Sequence, residues 1–266
     1  MNARKPNRYE QILERIFADF HKEGDSEVVF ERPDIERVAG ELKIDLPKNL
    51  GDVLYSFRYR ADLPASISDK APAGLQWVIL PKGRSRYAFS ATALALISPT
   101  PGRAETKVPD ATPGVIEMYA LNDEQALLAK LRYNRLIDIF TGVTCYPLQS
   151  HLRTAVIGMG QVETDEIYIG LDRHGVHYVL PVQAKGGKDR MSIVQIAQDF
   201  AMCESKFPDL ICRPIAAQFM RDSVIALFEF ERSNADYAIS SERHYRLVPA
   251  EKMSREELRA YQERLS

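Results

Sequence analysis

Asp165 opens a strand-like run, and Gln183 and Lys185 sit inside a second one further along QVETDEIYIGLDRHGVHYVLPVQAKGGKDRMSIVQIAQD. A carboxylate, an amide oxygen and a lysine brought together on neighbouring strands can hold a divalent cation and activate a water molecule. That is the equipment for hydrolysing a phosphodiester. The strand reading rests on alternation. In EIYIGL, Ile167 and Ile169 fall on one face, with Asp165 on the same parity. In YVLPVQAK, Leu180, Val182 and Ala184 share one face and Gln183 and Lys185 the other. The polar tetrad 172–175 suits a hairpin turn, which would bring Asp165 near Gln183 and Lys185. Gly186 and Gly187 follow, then a helix start at Asp189 with Ile193, Ile196, Ala197 and Phe200 at helical spacing. Gln183 and Lys185 interrupt a strongly apolar run, where an unpaired polar group is costly if buried.

This order resembles the PD-(D/E)xK nuclease superfamily, with Gln183 at the acidic position of the third motif. The resemblance implies Asp165 as the principal metal ligand and Gln183 as a second ligand through its amide oxygen. It implies Lys185 as the residue that orients or activates the attacking water, and Mg²⁺ as the cofactor. Thr164 stands where the motif's name has proline. Gln183 is neutral, so the site carries one fewer negative charge, and Glu163, on the face of Asp165, is the candidate to compensate. In the superfamily a helix ahead of the sheet sometimes lends a residue. Glu124 and Asn134 are the candidates here, on a long amphipathic helix NDEQALLAKLRYNRLIDIF capped by Asn122 or Asp123. Strands follow in LRTAVIGM, ICRPIAAQFM and SVIALFEFE, giving the superfamily's α-β-β-β-α-β-β order. Gln195, on the helix after the glycines, reads as a local hydrogen-bonding residue, with a place facing the site as the alternative. His174 reads as an exposed turn residue, and His151 with Arg153 as at most a phosphate contact.

The first part of the chain reads as helix, helix, short turn, helix and hairpin. Tyr9 to Phe20 is one helix, Pro33 opens a second, and KNLGDVLYSFRYR is a third. QWVILP and RYAFSAT, separated by KGRS, form the hairpin. This order resembles a winged helix-turn-helix domain, whose third helix enters the major groove while the wing lies along the backbone. The resemblance implies DNA contacts from Lys48, Asn49, Arg58 and Arg60 on or beside the third helix, with Ser56 close by. It implies further contacts from Lys82, Arg84 and Arg86 on the wing.

A chain of 266 residues with 45% hydrophobic residues can bury a real core in one large or two modest domains. Its net charge of −2 gives no global basic signature, so nucleic-acid binding must come from local patches. Three cysteines with no metal-ligand spacing fit a reduced, cytoplasmic protein. The sequence contains no membrane-spanning run, P-loop, GxGxxG or GxSxG. The Pro-rich stretch 98–114 reads as a linker. The expectation is therefore α+β: a winged helix-turn-helix domain over 1–107 and a restriction-endonuclease-like α/β domain with a central mixed sheet over 108–266. The pairing looks like a stand-alone type II restriction endonuclease, a hydrolase cutting double-stranded DNA at specific sites with Mg²⁺. A homodimer is compatible with that reading. The alternatives are a winged-helix transcriptional regulator with a C-terminal sensor or dimerisation domain, and a repair or structure-specific nuclease.

Overall fold

The computed structural model describes residues 7–59, 61–119, 124–187, 189–233 and 236–263. The chain begins with α1 (Arg8–Phe20), β1 (Glu27–Glu31), α2 (Arg32–Leu42), α3 (Gly51–Tyr59), α4 (Ala65–Ser68), β2 (Gln76–Pro81) and β3 (Arg86–Thr92). Asn7 fixes the start of α1 with a reciprocal cap. Its side chain accepts the Tyr9 and Glu10 N–H groups, while Glu10 accepts the Asn7 N–H. The apolar stripe Ile12, Leu13, Ile16 and Phe17 is buried against Val38, Leu54, Ile79 and Phe89. The three strands form an antiparallel sheet in the order β1-β3-β2. β1 goes unseen in the sequence because its partner β3 is distant along the chain and no turn links the two.

The rest of the chain forms β4 (Leu96–Ile97), β5 (Glu105–Pro109), α5 (Gly114–Tyr119), α6 (Glu124–Tyr133), α7 (Leu136–Thr141), β6 (Thr144–Val156), β7 (Gly160–Leu171) and β8 (His177–Lys185). Then come β9 (Met191–Ser192), α8 (Ile193–Lys206), β10 (Ile211–Cys212), β11 (Ile215–Phe219), β12 (Val224–Ser233), β13 (Asp236–Val248) and α9 (Arg255–Gln262). The large sheet runs β5-β13-β12-β11-β8-β7-β6, with β10 also beside β8. It is mixed: β8 pairs in parallel with β10 and β11, and β13 with β5, while the remaining pairs are antiparallel. The protein is thus α+β, with an N-terminal helical region and a C-terminal part built on a large mixed sheet.

Both faces of that sheet are covered, which is why β8 reads as a nearly continuous apolar run. Leu180, Val182 and Ala184 pack under α6 and α7 with Leu127, Leu131 and Leu136. Val179 and Ile167 pack under α8 with Met202 and Cys203. Among the described residues no helix is long and apolar enough to cross a membrane.

Two expectations are corrected. The stretch 98–114 is not a bare linker, because it contains β5, paired with β13 at the sheet edge. A short polar strand with a remote partner carries no local signal. The expected long helix 122–140 breaks into α6 and α7 at Arg135, which adopts a left-handed backbone with φ 51°. The break follows from Asn134, which is buried. Its side chain accepts the Ala111 N–H and donates to Asp110, Thr112 and the Lys130 carbonyl.

The N-terminal region is tied to the sheet at several points. β4 pairs with β9. Tyr59 Oη donates to Gln198 Oε1 at 3.2 Å, Thr92 Oγ1 to Asp236 at 2.9 Å, and Thr100 Oγ1 to Glu242 at 2.7 Å. Arg190 pairs with Asp62. These contacts bring α3 and the β2–β3 turn over the ends of β7 and β8.

Candidate active site

β7 and β8 pair regularly as far as Glu166 opposite Val182, and then the ladder stops. The reason lies in β7. Val162 and Thr164 reach the α8 side, and so do Ile167 and Ile169. An unbroken period of two cannot place both pairs there, so the alternation changes phase around Asp165. On β6 the register pairs Ser150 with Glu166 and Leu152 with Thr164. Between them His151 takes a left-handed backbone, φ 51°. The phase change therefore breaks the shared parity of Asp165 with Ile167 expected from the sequence. It turns the Asp165 side chain into the gap, where Oδ2 accepts the Ala184 N–H at 2.8 Å.

Gln183 bridges the same fork from the other strand. Its Nε2 donates to the Glu163 carbonyl at 3.1 Å. Two side-chain-to-backbone bonds thus replace the missing ladder bonds and hold both polar groups at the mouth of the fork. Burial pushes the Asp165 carboxyl above the usual carboxylate range. The Ala184 N–H and the Lys185 charge pull it back, and the Glu124 charge pushes it further up. Lys185, at the end of β8, donates from Nζ to Glu124 Oε1 at 2.6 Å. Of the two helix candidates Glu124 is therefore at the site, and Asn134 is not.

Beneath Gln183 lies a buried polar chain that the sequence did not reveal. Asp199 of α8 is fully buried and takes Thr164 Oγ1 at 2.5 Å and Gln183 Nε2 at 3.1 Å from each carboxylate oxygen. Burial pushes its pKa up to about 8. Gln195 Nε2 donates to Gln183 Oε1 at 3.1 Å. The only sequence cue was an aspartate facing the apolar side of an amphipathic helix. Glu163, expected beside Asp165 as the compensating charge, is exposed and paired with Arg153 at 3.0 Å.

A cleft of about 1120 Å³ joins these groups to the N-terminal region. One wall carries Glu124, Glu163, Asp165, Gln183, Lys185 and Gln195. The facing wall carries Asn49, Tyr55, Arg58 and Arg84. The sequence-predicted DNA contacts are not equivalent there. Lys48 and Asn49 precede α3 rather than lying on it. Asn49 binds the Gly51 N–H and the Asp52 carboxylate, so its amide serves the helix start. Arg58 Nε and one terminal nitrogen are buried without a partner, and its Cζ lies 5.0 Å over the Tyr59 ring. Lys82 pairs with Glu27, and Arg86 stands 4.0 Å from Glu31. Arg84 is exposed, with no ion pair among the described residues. Arg60 and the expected helix caps Asn122 and Asp123 lie outside the described residues.

The donors at the fork are oxygens: the Asp165 carboxylate, the Glu124 carboxylate and the Gln183 amide oxygen. That set fits a hard cation such as Mg²⁺, which takes one or two carboxylates and completes its shell with water and phosphate oxygens. Among the described residues no group of three or more His, Cys, Asp or Glu side chains is placed to hold a metal ion. Such a site would depend on the amide oxygen and on substrate. No protein-family model matches the chain, and no curated protein or solved structure matches it either.

Proposed function

We propose that this protein is a Mg²⁺-dependent endonuclease acting on double-stranded DNA, of the type II restriction kind. The observation that carries the reading is the shared cleft. Asp165, Gln183, Lys185 and Glu124 meet at one strand fork, and the wall opposite belongs to α3 and the β2–β3 turn. The order α1-β1-α2-α3-α4-β2-β3 with sheet order β1-β3-β2 supports a winged helix-turn-helix, with α3 as the groove-reading helix and the β2–β3 turn as the wing.

In this reading Asp165 and the Gln183 oxygen would hold the cation, with Glu124 beside them. Bound there, Mg²⁺ would supply charge neutralisation on the phosphate and acidify a water molecule. Lys185 Nζ, held by Glu124, would direct a water lone pair at phosphorus, in line with the departing sugar oxygen. The water oxygen bonds to phosphorus, the P–O bond to the leaving sugar breaks, the attacking water's proton passes to solvent, and a solvent water protonates the departing sugar oxygen. Arg84 would contact backbone phosphate while the α3 side presents groups to the bases.

The test is incubation of plasmid DNA with the protein and Mg²⁺, with and without EDTA, beside Asp165→Ala and Lys185→Ala. Discrete fragments that vanish with EDTA and in both variants are expected. Cutting confined to branched or damaged substrates would mean a structure-specific nuclease. Sequence-specific binding without cutting would mean a winged-helix regulator.

A further inference from the structure

The two ends of the Gln183 amide are sorted by their surroundings. Nε2 meets three acceptors at 3.1 Å: the Glu163 carbonyl and both oxygens of Asp199. A backbone carbonyl can only accept, so the nitrogen end must face it. The oxygen end is left to the cleft side, where Gln195 Nε2 donates to it. The Oε1 of Gln195 is itself buried and without a partner. Asp199 cannot swing away, because it is fully buried on α8 and clamped by the Thr164 hydroxyl.

We propose that Asp199 is a positioning residue: with Thr164 it locks the Gln183 amide so that its oxygen, not its nitrogen, faces the cleft. This rests on the nuclease reading, in which that oxygen meets the cation. It also explains the neutral residue at this position. A glutamate would set a second oxygen, with no N–H to donate, against the Glu163 carbonyl and the two Asp199 oxygens that the amide nitrogen now serves. The strand amide and the helix carboxyl group are therefore matched as donor and acceptor, and neither can be exchanged alone.

Mn²⁺ titration of the full-length protein with an uncleavable DNA duplex tests the lock without requiring turnover. Asp199→Asn places an N–H against the Gln183 nitrogen and should weaken Mn²⁺ binding by roughly 10-fold or more, the scale of effect expected for a partner that orients a metal ligand. Gln183→Glu alone should fail to tighten binding. The double variant should bind better than the product of the two single effects, because the amide introduced on α8 can donate to the carboxylate introduced on β8. Thr164→Val removes only the clamping hydroxyl and should act in the same direction, which covers an Asp199→Asn protein that does not fold. Side-chain ¹⁵N spectra without metal should show the Gln183 amide protons protected from exchange in wild type and exposed in Asp199→Asn. Wild-type affinity in a folded Asp199→Asn or Thr164→Val protein, or strictly multiplicative effects in the double variant, would overturn the proposal. If Gln183→Ala weakens binding and Asp199→Asn does not, only the lock falls. If wild type binds no Mn²⁺, the nuclease reading falls and this role falls with it.

Discussion

Lys185 Nζ stands 2.6 Å from Glu124 Oε1, so the last residue of β8 and the first residue of α6 meet at the mouth of the fork. The Lys185 side chain is 17% exposed and that of Glu124 is 37% exposed. The contact is partly shielded and fixes the direction of the ammonium; as a pair still open to solvent it adds little to stability.

Glu124→Gln keeps the shape and removes the counter-charge. Single-turnover cleavage should fall by roughly 10- to 100-fold, the scale expected for a residue that orients a catalytic group. Duplex affinity should remain. Lys185→Ala should lose more, because the aimed group itself is gone. Wild-type cleavage by Glu124→Gln would mean that the ion pair is only a surface contact.

Asp199 gives the chain a pH signature. Its folded pKa of about 8 lies above the ~3.9 of an unfolded aspartate. Between those values the folded protein keeps a proton that the unfolded chain has released. The stability contributed by this one group is therefore fullest below pH ~4, falls as pH rises through this window, and levels off above about 8. The loss is on the order of a few kcal/mol. Urea unfolding at pH 5, 7 and 9 should show wild type losing stability relative to Asp199→Asn as pH rises. A pH-independent difference would mean that Asp199 is ionised throughout.

Much of this arrangement was legible because it is written in local patterns. The hairpin of β7 and β8, a helix after the glycines and the helix-helix-helix-hairpin order follow from periodicity and turn residues within short windows. That helix starts at Ile193, capped by Ser192, and not at Asp189 as expected, because Met191 and Ser192 pair with β4 first. Much of what escaped depends on distant pairings, although β13, which pairs with the adjacent β12, escaped because DYAISSERHYR is too polar to announce a strand. β1 finds β3, and β5 finds β13, with no intervening turn to announce either. The phase change at Asp165 looks like ordinary alternation until Thr164 is seen bonded to α8. Asp199 and Gln183 become a pair only when a helix folds onto a strand. Lys185 and Glu124 were both visible as candidates, but the contact that joins them was not.

If the protein holds DNA as proposed, the β2–β3 turn should act through one residue more than the others. Lys82 already pairs with Glu27 and Arg86 lies near Glu31, whereas Arg84 is exposed at the cleft. Arg84→Ala should weaken duplex binding and reduce the log-log salt slope by about one unit, the loss of one phosphate contact. Lys82→Ala should change both less, since its charge is already partly neutralised. Equal salt slopes for wild type and Arg84→Ala would place the phosphate contact elsewhere.

Arg58 should show a conflict between stability and binding. Two of its guanidinium nitrogens are buried without partners, and Tyr59 beside it is tied to Gln198. A buried donor left unpaired costs about 1–3 kcal/mol, toward the lower end here because part of the side chain still reaches the cleft. Arg58→Met keeps the length of the stem and removes the unpaired donors, so thermal unfolding should move upward. Duplex affinity should fall, because a phosphate or base acceptor is what those donors lack. The two measurements together decide the residue's purpose. A rise in Tm with unchanged DNA affinity would mark the orphaned donors as a cost with no ligand behind it. A fall in Tm would mean that Arg58 holds the α3 end against the sheet, and that the groove-facing role belongs to other side chains.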